Sequence, residues 1–153
     1  MKWNQAKCGL KRKFSMSEFN FKSQICTTKE QSERLLALGL KKETADCNLT
    51  NYSLKGKGYQ DGWKVGTVPY CKVLEEWNKF AKDSCWELIP AWSLHRLIEM
   101  CPCDVEISGI WVYAERSYEF REKDNVYDNL IDLIKSIIKE GYFNKEYLED
   151  GNC

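Results

Sequence analysis

His95, Cys101 and Cys103 are the residues whose types and spacing come nearest to chemistry. The chain holds one histidine, so zinc sites of the His₂ or His₃ kind and two-histidine nuclease pairs cannot be built. His95 has the ring to act as base for a cysteine nucleophile, and Glu99 follows one helical turn later, in reach to orient it. The plainer alternative is a solvated helix face with an i,i+4 pair, because Arg96 lies beside both. Cys101-Pro102-Cys103 is the one close thiol pair. With Cys71 or Cys85 folded nearby it would make a Cys₃His set with His95. Structural zinc, however, draws on two C-x₂₋₄-C knuckles, and the second is missing. Cys101 also falls on the apolar side of its helix, where a thiol behaves as a small hydrophobe. No thioredoxin-like βαβ pattern surrounds the pair.

Other candidates give less. Lys55-Gly56-Lys57-Gly58 lacks the spacing and the preceding strand of a phosphate loop and reads as a turn. Glu75-Glu76, Asp104/Glu106 and Asp128/Asp132 are surface patterns; the last two aspartates, four apart on one helix, repel slightly. No nucleophile, base and oxyanion site converge, so no catalytic, metal or cofactor residue is assigned. Tryptophan is the remaining anomaly. Of six, Trp63, Trp77, Trp86 and Trp92 crowd the middle of the chain. Such residues fill cores and also mark binding surfaces. The core takes the larger share, and Trp77, Trp86 and Trp92, with His95, form the candidate partner-binding face.

Charge is divided unevenly. Lys2, Lys7, Lys11, Arg12 and Lys13 put +5 into the first thirteen residues, before any acid. Of the 23 basic groups 18 remain, against all 23 acidic ones, so the rest of the chain is net −5. A basic head with Trp3 for stacking suits a nucleic-acid arm; the plainer reading is a disordered or non-native tail ahead of Met16. An acidic body repels phosphate, which makes nucleic acid an unfavourable partner for the folded part. Eight cysteines in 153 residues fall below the roughly 8–10% of a disulfide scaffold. No apolar h-region follows the basic head, and no stretch is long and apolar enough to span a membrane. The thiols are then expected to be reduced in a cytoplasmic protein, where the sequons at Asn48 and Asn51 have no meaning.

The elements that must position these residues follow from periodicity and caps. Phe19 and Phe21 alternate as in a strand opened by Met16. Thr27 with Glu30, and Thr28 with Gln31, are overlapping capping boxes for a helix running to Leu38, with Gly39 left-handed and Leu40 folding back. Residues 48–62 suggest a loop or irregular hairpin, and Trp63, Val65 and Thr67 a short strand that Pro69 interrupts. Val73, Trp77, Phe80 and Ala81 have helical spacing over about 72–82. Pro90 is placed to start a helix over 91–101, with Leu94, Leu97, Ile98 and Cys101 on one face and His95, Arg96 and Glu99 opposite. Residues 104–121 read as one long strand or two paired ones, with Ile110, Val112 and Ala114 in alternation. The last helix is capped by Asp124 or Asn125 and closed by Gly141, with a final turn over 144–149. From Val126 to Ile138 its apolar residues cover about 160° of the wheel and must bury against a sheet or a second chain. Strands and helices mix without βαβ alternation. The expected fold is therefore a single α+β domain over 16–153, an antiparallel or mixed sheet packed by about three helices, behind a head at 1–15.

Three stretches carry a resemblance: Phe21 to Leu40 with Thr44-Ala45-Asp46, Ile89 to Met100, and Tyr127 to Asp132 continuing to Lys139-Glu140-Gly141-Tyr142-Phe143. Together they resemble a group of short uncharacterised proteins of gut Bacteroidetes and their phages and mobile elements. The resemblance covers well under half of the chain and leaves 1–15 and about 48–88 outside it. It implies a cytoplasmic protein of a phage or integrated element and favours Met16 as the usual start. It carries over no activity and no site residue.

The expected function is that of a small accessory protein acting by protein–protein binding, motivated by the apolar stripe of the last helix and the tryptophans. Homo-oligomerisation is one way to cover that stripe. A small enzyme using a Cys/His or carboxylate site, and a nucleic-acid binder using the basic head, are the alternatives.

Overall fold

The structure is a computed structural model that describes residues 23–53, 60–70, 86–114, 118–120 and 122–151, together with positions 73, 75, 76 and 79. The expected strand from Met16, the basic head and the Lys55–Gly58 turn lie outside the described residues. So does most of the helix expected over 72–82.

Helix α1 (Lys29–Ala37) starts at Thr28, whose hydroxyl accepts the Gln31 N–H at 3.3 Å while Gln31 Oε1 accepts the Thr28 N–H at 3.0 Å. Of the two overlapping boxes it is the second that forms. Thr27 is drawn elsewhere: its hydroxyl meets Ser32 at 2.7 Å and accepts the Trp92 N–H at 3.0 Å. Gly39 ends the helix at φ 89°, and the N–H groups of Gly39 and Leu40 return to the carbonyls of Leu36 and Leu35. This six-to-one and five-to-two pattern satisfies carbonyls that the last turn leaves open.

Strands β1 (Cys47–Ser53), β2 (Gln60–Gly66) and β3 (Trp86–Ala91) make an antiparallel sheet in the order β2-β1-β3. The polar stretch from residue 48 thus takes the hairpin alternative. Pro90 corrects the reading of its neighbourhood. It sits opposite Asn48 inside β3 and starts no helix. A proline has no N–H to donate, a lack tolerated at a helix start and equally on an edge strand. Helix α2 (Leu94–Glu99) begins four residues later, capped by Ser93, whose Oγ accepts the Arg96 N–H at 3.1 Å.

A second antiparallel sheet, β4-β5-β6, is formed by Val105–Ser108, Trp111–Ala114 and Tyr118–Phe120. Three strands stand where one or two were expected. Gly109, at φ 64°, and Ile110 are the two-residue turn between β4 and β5, since Ser108 pairs directly with Trp111. Positive φ at the first turn position is what tight hairpins demand. Ile110 consequently sits at the turn and is 38% exposed, not on the buried side of a strand.

Helix α3 (Val126–Lys139) is capped by Asn125, whose Oδ1 accepts the Tyr127 N–H at 2.7 Å, and Gly141 closes it at φ 79°. Its stripe is covered from within the chain. Leu130, Ile131, Leu133, Ile134 and Ile137 are buried in one cluster with Leu35, Trp92, Leu97, Val112 and Phe143, contributed by α1, α2, β5 and the segments beside them. Fully burying each such aliphatic side chain stabilises the fold by about 1.5–3 kcal/mol. A smaller cluster, Cys26, Cys47, Leu49, Ile89 and Ala91 with Trp63 packed against it, lies on the first sheet. The whole is one α+β arrangement with two small antiparallel sheets.

Candidate functional site

Of the four residues assigned to a binding face, Trp92 and His95 are described with their side chains, and these two do not share a surface. Trp92 is buried, and its Nε1 donates to Thr44 Oγ1 at 2.9 Å. It fills the core, and its assignment to a surface is corrected. Trp77 lies outside the described residues. Trp86 opens β3, and its side chain lies outside those described. His95 is exposed on the first turn of α2. Trp63 is half-buried on the small cluster, with Lys29 Nζ 5.2 Å from its ring centre.

His95 lines a groove of about 520 Å³. Ser23, Gln24 and Ile25 form one wall, the α2 start from Ser93 to His95 another, and the Ile110 turn and the α3 start from Asp124 to Tyr127 the rest. Ile25, 61% exposed, and Ile110 stand on its walls. Two amide side chains fix the geometry. Gln24 Nε2 donates to Gln31 Oε1 at 2.6 Å and to the Cys26 carbonyl at 2.8 Å, and Gln24 Oε1 accepts Asn125 Nδ2 at 2.9 Å. Asn129, buried on α3, donates to the carbonyls of Ile110 and Lys123 and accepts the Lys123 N–H. A buried amide with its groups satisfied specifies one arrangement, because any other leaves it unpaired at about 1–3 kcal/mol. The Tyr127 hydroxyl donates to the Gln24 carbonyl at 3.4 Å, and burial pushes its pKa up to about 12, so it stays protonated.

The groove includes neither Cys101 nor Cys103. The Cys101 thiol donates to the Leu97 carbonyl at 3.4 Å, and its pKa is pushed up to about 12 by burial and then by Cys103 beside it. Glu99 pairs with Arg96 at 2.8 Å and does not orient His95. His95 and Asp124 have no hydrogen bond or ion pair among the described residues. Asp128 and Asp132 do not repel unrelieved: Arg34 of α1 reaches both, at 2.5 and 2.9 Å, and ties α1 to α3. Glu75 pairs with Lys42 at 3.6 Å. Among the described residues no group of three or more His, Cys, Asp or Glu side chains is placed to hold a metal ion.

A thiol pair that the sequence spacing does not reveal lies behind the groove. Cys26 and Cys47 are both buried and belong to the same small apolar cluster. Burial, then the partner thiol, pushes Cys26 up to about 12, and burial also raises Cys47. Asp46 stands next to them. Its carboxylate accepts the Ser93 N–H at 2.8 Å and the Ser93 hydroxyl at very short range. The Ser93 proton is thereby committed to Asp46 while its oxygen caps α2. This is an anchor for the α2 start. Nothing donates to an oxyanion beside it among the described residues.

Sequence reasoning missed Ile25, Ile110 and Asp124 as groove residues. For Ile110 a signal was present: Ser108-Gly109-Ile110-Trp111 has the glycine of a two-residue turn, which puts its neighbour at a tip. No family model, curated protein or solved structure matches the chain.

Proposed function

We propose that the protein is a small cytoplasmic accessory protein of a phage or mobile element that works by binding another protein at the groove beside His95. The observation that carries this reading is the exposure of Ile25 and Ile110 in the lining of one groove. Exposed aliphatics scattered singly need no explanation, whereas two lining one groove offer a place for a partner side chain. The stripe of α3 and Trp92 no longer argue for a partner, since the fold itself buries them. The origin in a phage or mobile element rests on the resemblance of the three sequence stretches. A reducing compartment is compatible with Cys26, Cys47 and Cys101 as free thiols. Among the described residues no helix is long and apolar enough to cross a membrane.

A photo-crosslinking side chain placed at Ile110, and separately at exposed Glu43, which does not line the groove, tests the reading in the native host. A discrete protein adduct from position 110 and none from position 43 is expected. Equal labelling from both positions, or none from 110, overturns it.

A further inference from the structure

We propose that the groove selects an extended segment of a partner protein in which an aliphatic side chain stands beside a lysine or arginine. The proposal rests on the reading of the groove as the binding surface and adds the chemistry of its occupant. Among the described residues Asp124 is the only Asp, Glu, Lys or Arg side chain on the groove walls, and it has no ion pair or hydrogen bond with any of them. A carboxylate in that state, beside aliphatic walls that exclude water once occupied, is matched by a cation and opposed by a second carboxylate. Asn125 Oδ1 takes the Tyr127 amide, so that N–H is withdrawn from any acidic ligand.

Ile25 and Ile110 supply the apolar half of the match. The isoleucines and the Asp124 carboxylate line the same groove, which suits an aliphatic residue and a cationic neighbour on one segment. The walls are also preorganised: Gln24 and Asn129 hold three of the groove segments by side-chain hydrogen bonds. Binding therefore costs little ordering on this side of the interface. At longer range, the excess of five acidic groups after Lys13 draws basic segments toward the molecule and repels acidic ones.

The test is a displayed library of random peptides panned on the full chain, followed by affinity measurements on one synthetic peptide of the enriched sequence. Enrichment of Lys or Arg within two positions of Leu, Ile, Val or Met is expected. Asp124→Lys should weaken that peptide by about tenfold, the size of one charge-assisted contact, and a peptide with Glu in place of its cations should then regain affinity. Ile110→Glu should abolish binding of both. Asp124 and Ile110 are exposed, and an unchanged thermal unfolding curve shows that the variants remain folded. Acidic or uncharged enriched peptides, or binding indifferent to Asp124→Lys but lost with Ile110→Glu, overturn the cationic occupant and leave the groove as the binding surface. No enrichment, or binding indifferent to both variants, overturns the two together.

Discussion

The two apolar clusters of this protein are built by different rules. The large one is organised by α3, whose buried positions recur at helical spacing and lock with Leu35, Leu97 and Val112 from the elements around it. The small one is assembled from Cys26, Cys47, Leu49, Ile89 and Ala91, residues far apart in the chain that meet only because β1 and β3 pair. Around it stand polar groups, Thr27, Asp46 and Ser93, which tie backbone to side chain. The large cluster supplies stability. The small one supplies placement, since its polar collar fixes where α2 begins and therefore where one groove wall stands.

That contrast can be broken first at the large cluster. Ile134→Ala, at a fully buried position of α3, should lower unfolding free energy by about 2–5 kcal/mol. The shift in urea midpoint measures it. A loss under about 1 kcal/mol would mean that α3 is not the organising element. A smaller effect is expected at the collar. Asp46→Ala leaves the Ser93 amide and hydroxyl without their acceptor and should cost about 1–3 kcal/mol. It should also perturb His95 and Leu94 resonances in an NMR spectrum more than those of α3. Equal perturbation of both regions would erase the distinction between stability and placement.

The smallest effect at neutral pH concerns the thiols, and it grows only in alkali. Cys26 and Cys101 are raised from 9.0 to about 12, and Tyr127 from 10.0 to about 12. A group raised on folding loses its proton more easily in the unfolded chain. The stabilisation is therefore complete below pH 9 and is lost as pH climbs from about 9 toward 12. Unfolding free energy should fall across that window, and Cys26→Ala should flatten the fall. Below pH 9 these groups add no slope. A curve that is level to pH 12 would contradict the burial of these groups.

How much of this was legible in the residues differs between the same two regions. The last helix was readable because its cap, its closing glycine and its periodic apolar face are all local. Thr28 with Gln31 and the Gly39 end were readable for the same reason. Pro90 was misread because a missing N–H is compatible with a helix start and an edge strand alike, and only the pairing with Asn48 decides between them. The three strands after residue 104 were underestimated because Ile110 fits an alternating pattern equally well at a turn. The groove was hardest of all. Ile25, His95, Ile110 and Asp124 come from four separate segments; Gln24 and Asn129, two amides whose partners are up to 101 residues away, join three of them, and Asp46 holds the fourth through Ser93.

Asn48 and Gly66 face each other across β1 and β2, and the Asn48 amide donates to the Val68 carbonyl at 2.8 Å. A Cβ at position 66 would stand 2.5 Å from Asn48 Oδ1, closer than any real contact. The two positions are therefore coupled. An alanine at 66 pushes the Asn48 amide aside and away from the Val68 carbonyl, whereas a shorter residue at 48 leaves room for it. The effect of a substitution at 66 thus depends on which residue stands at 48.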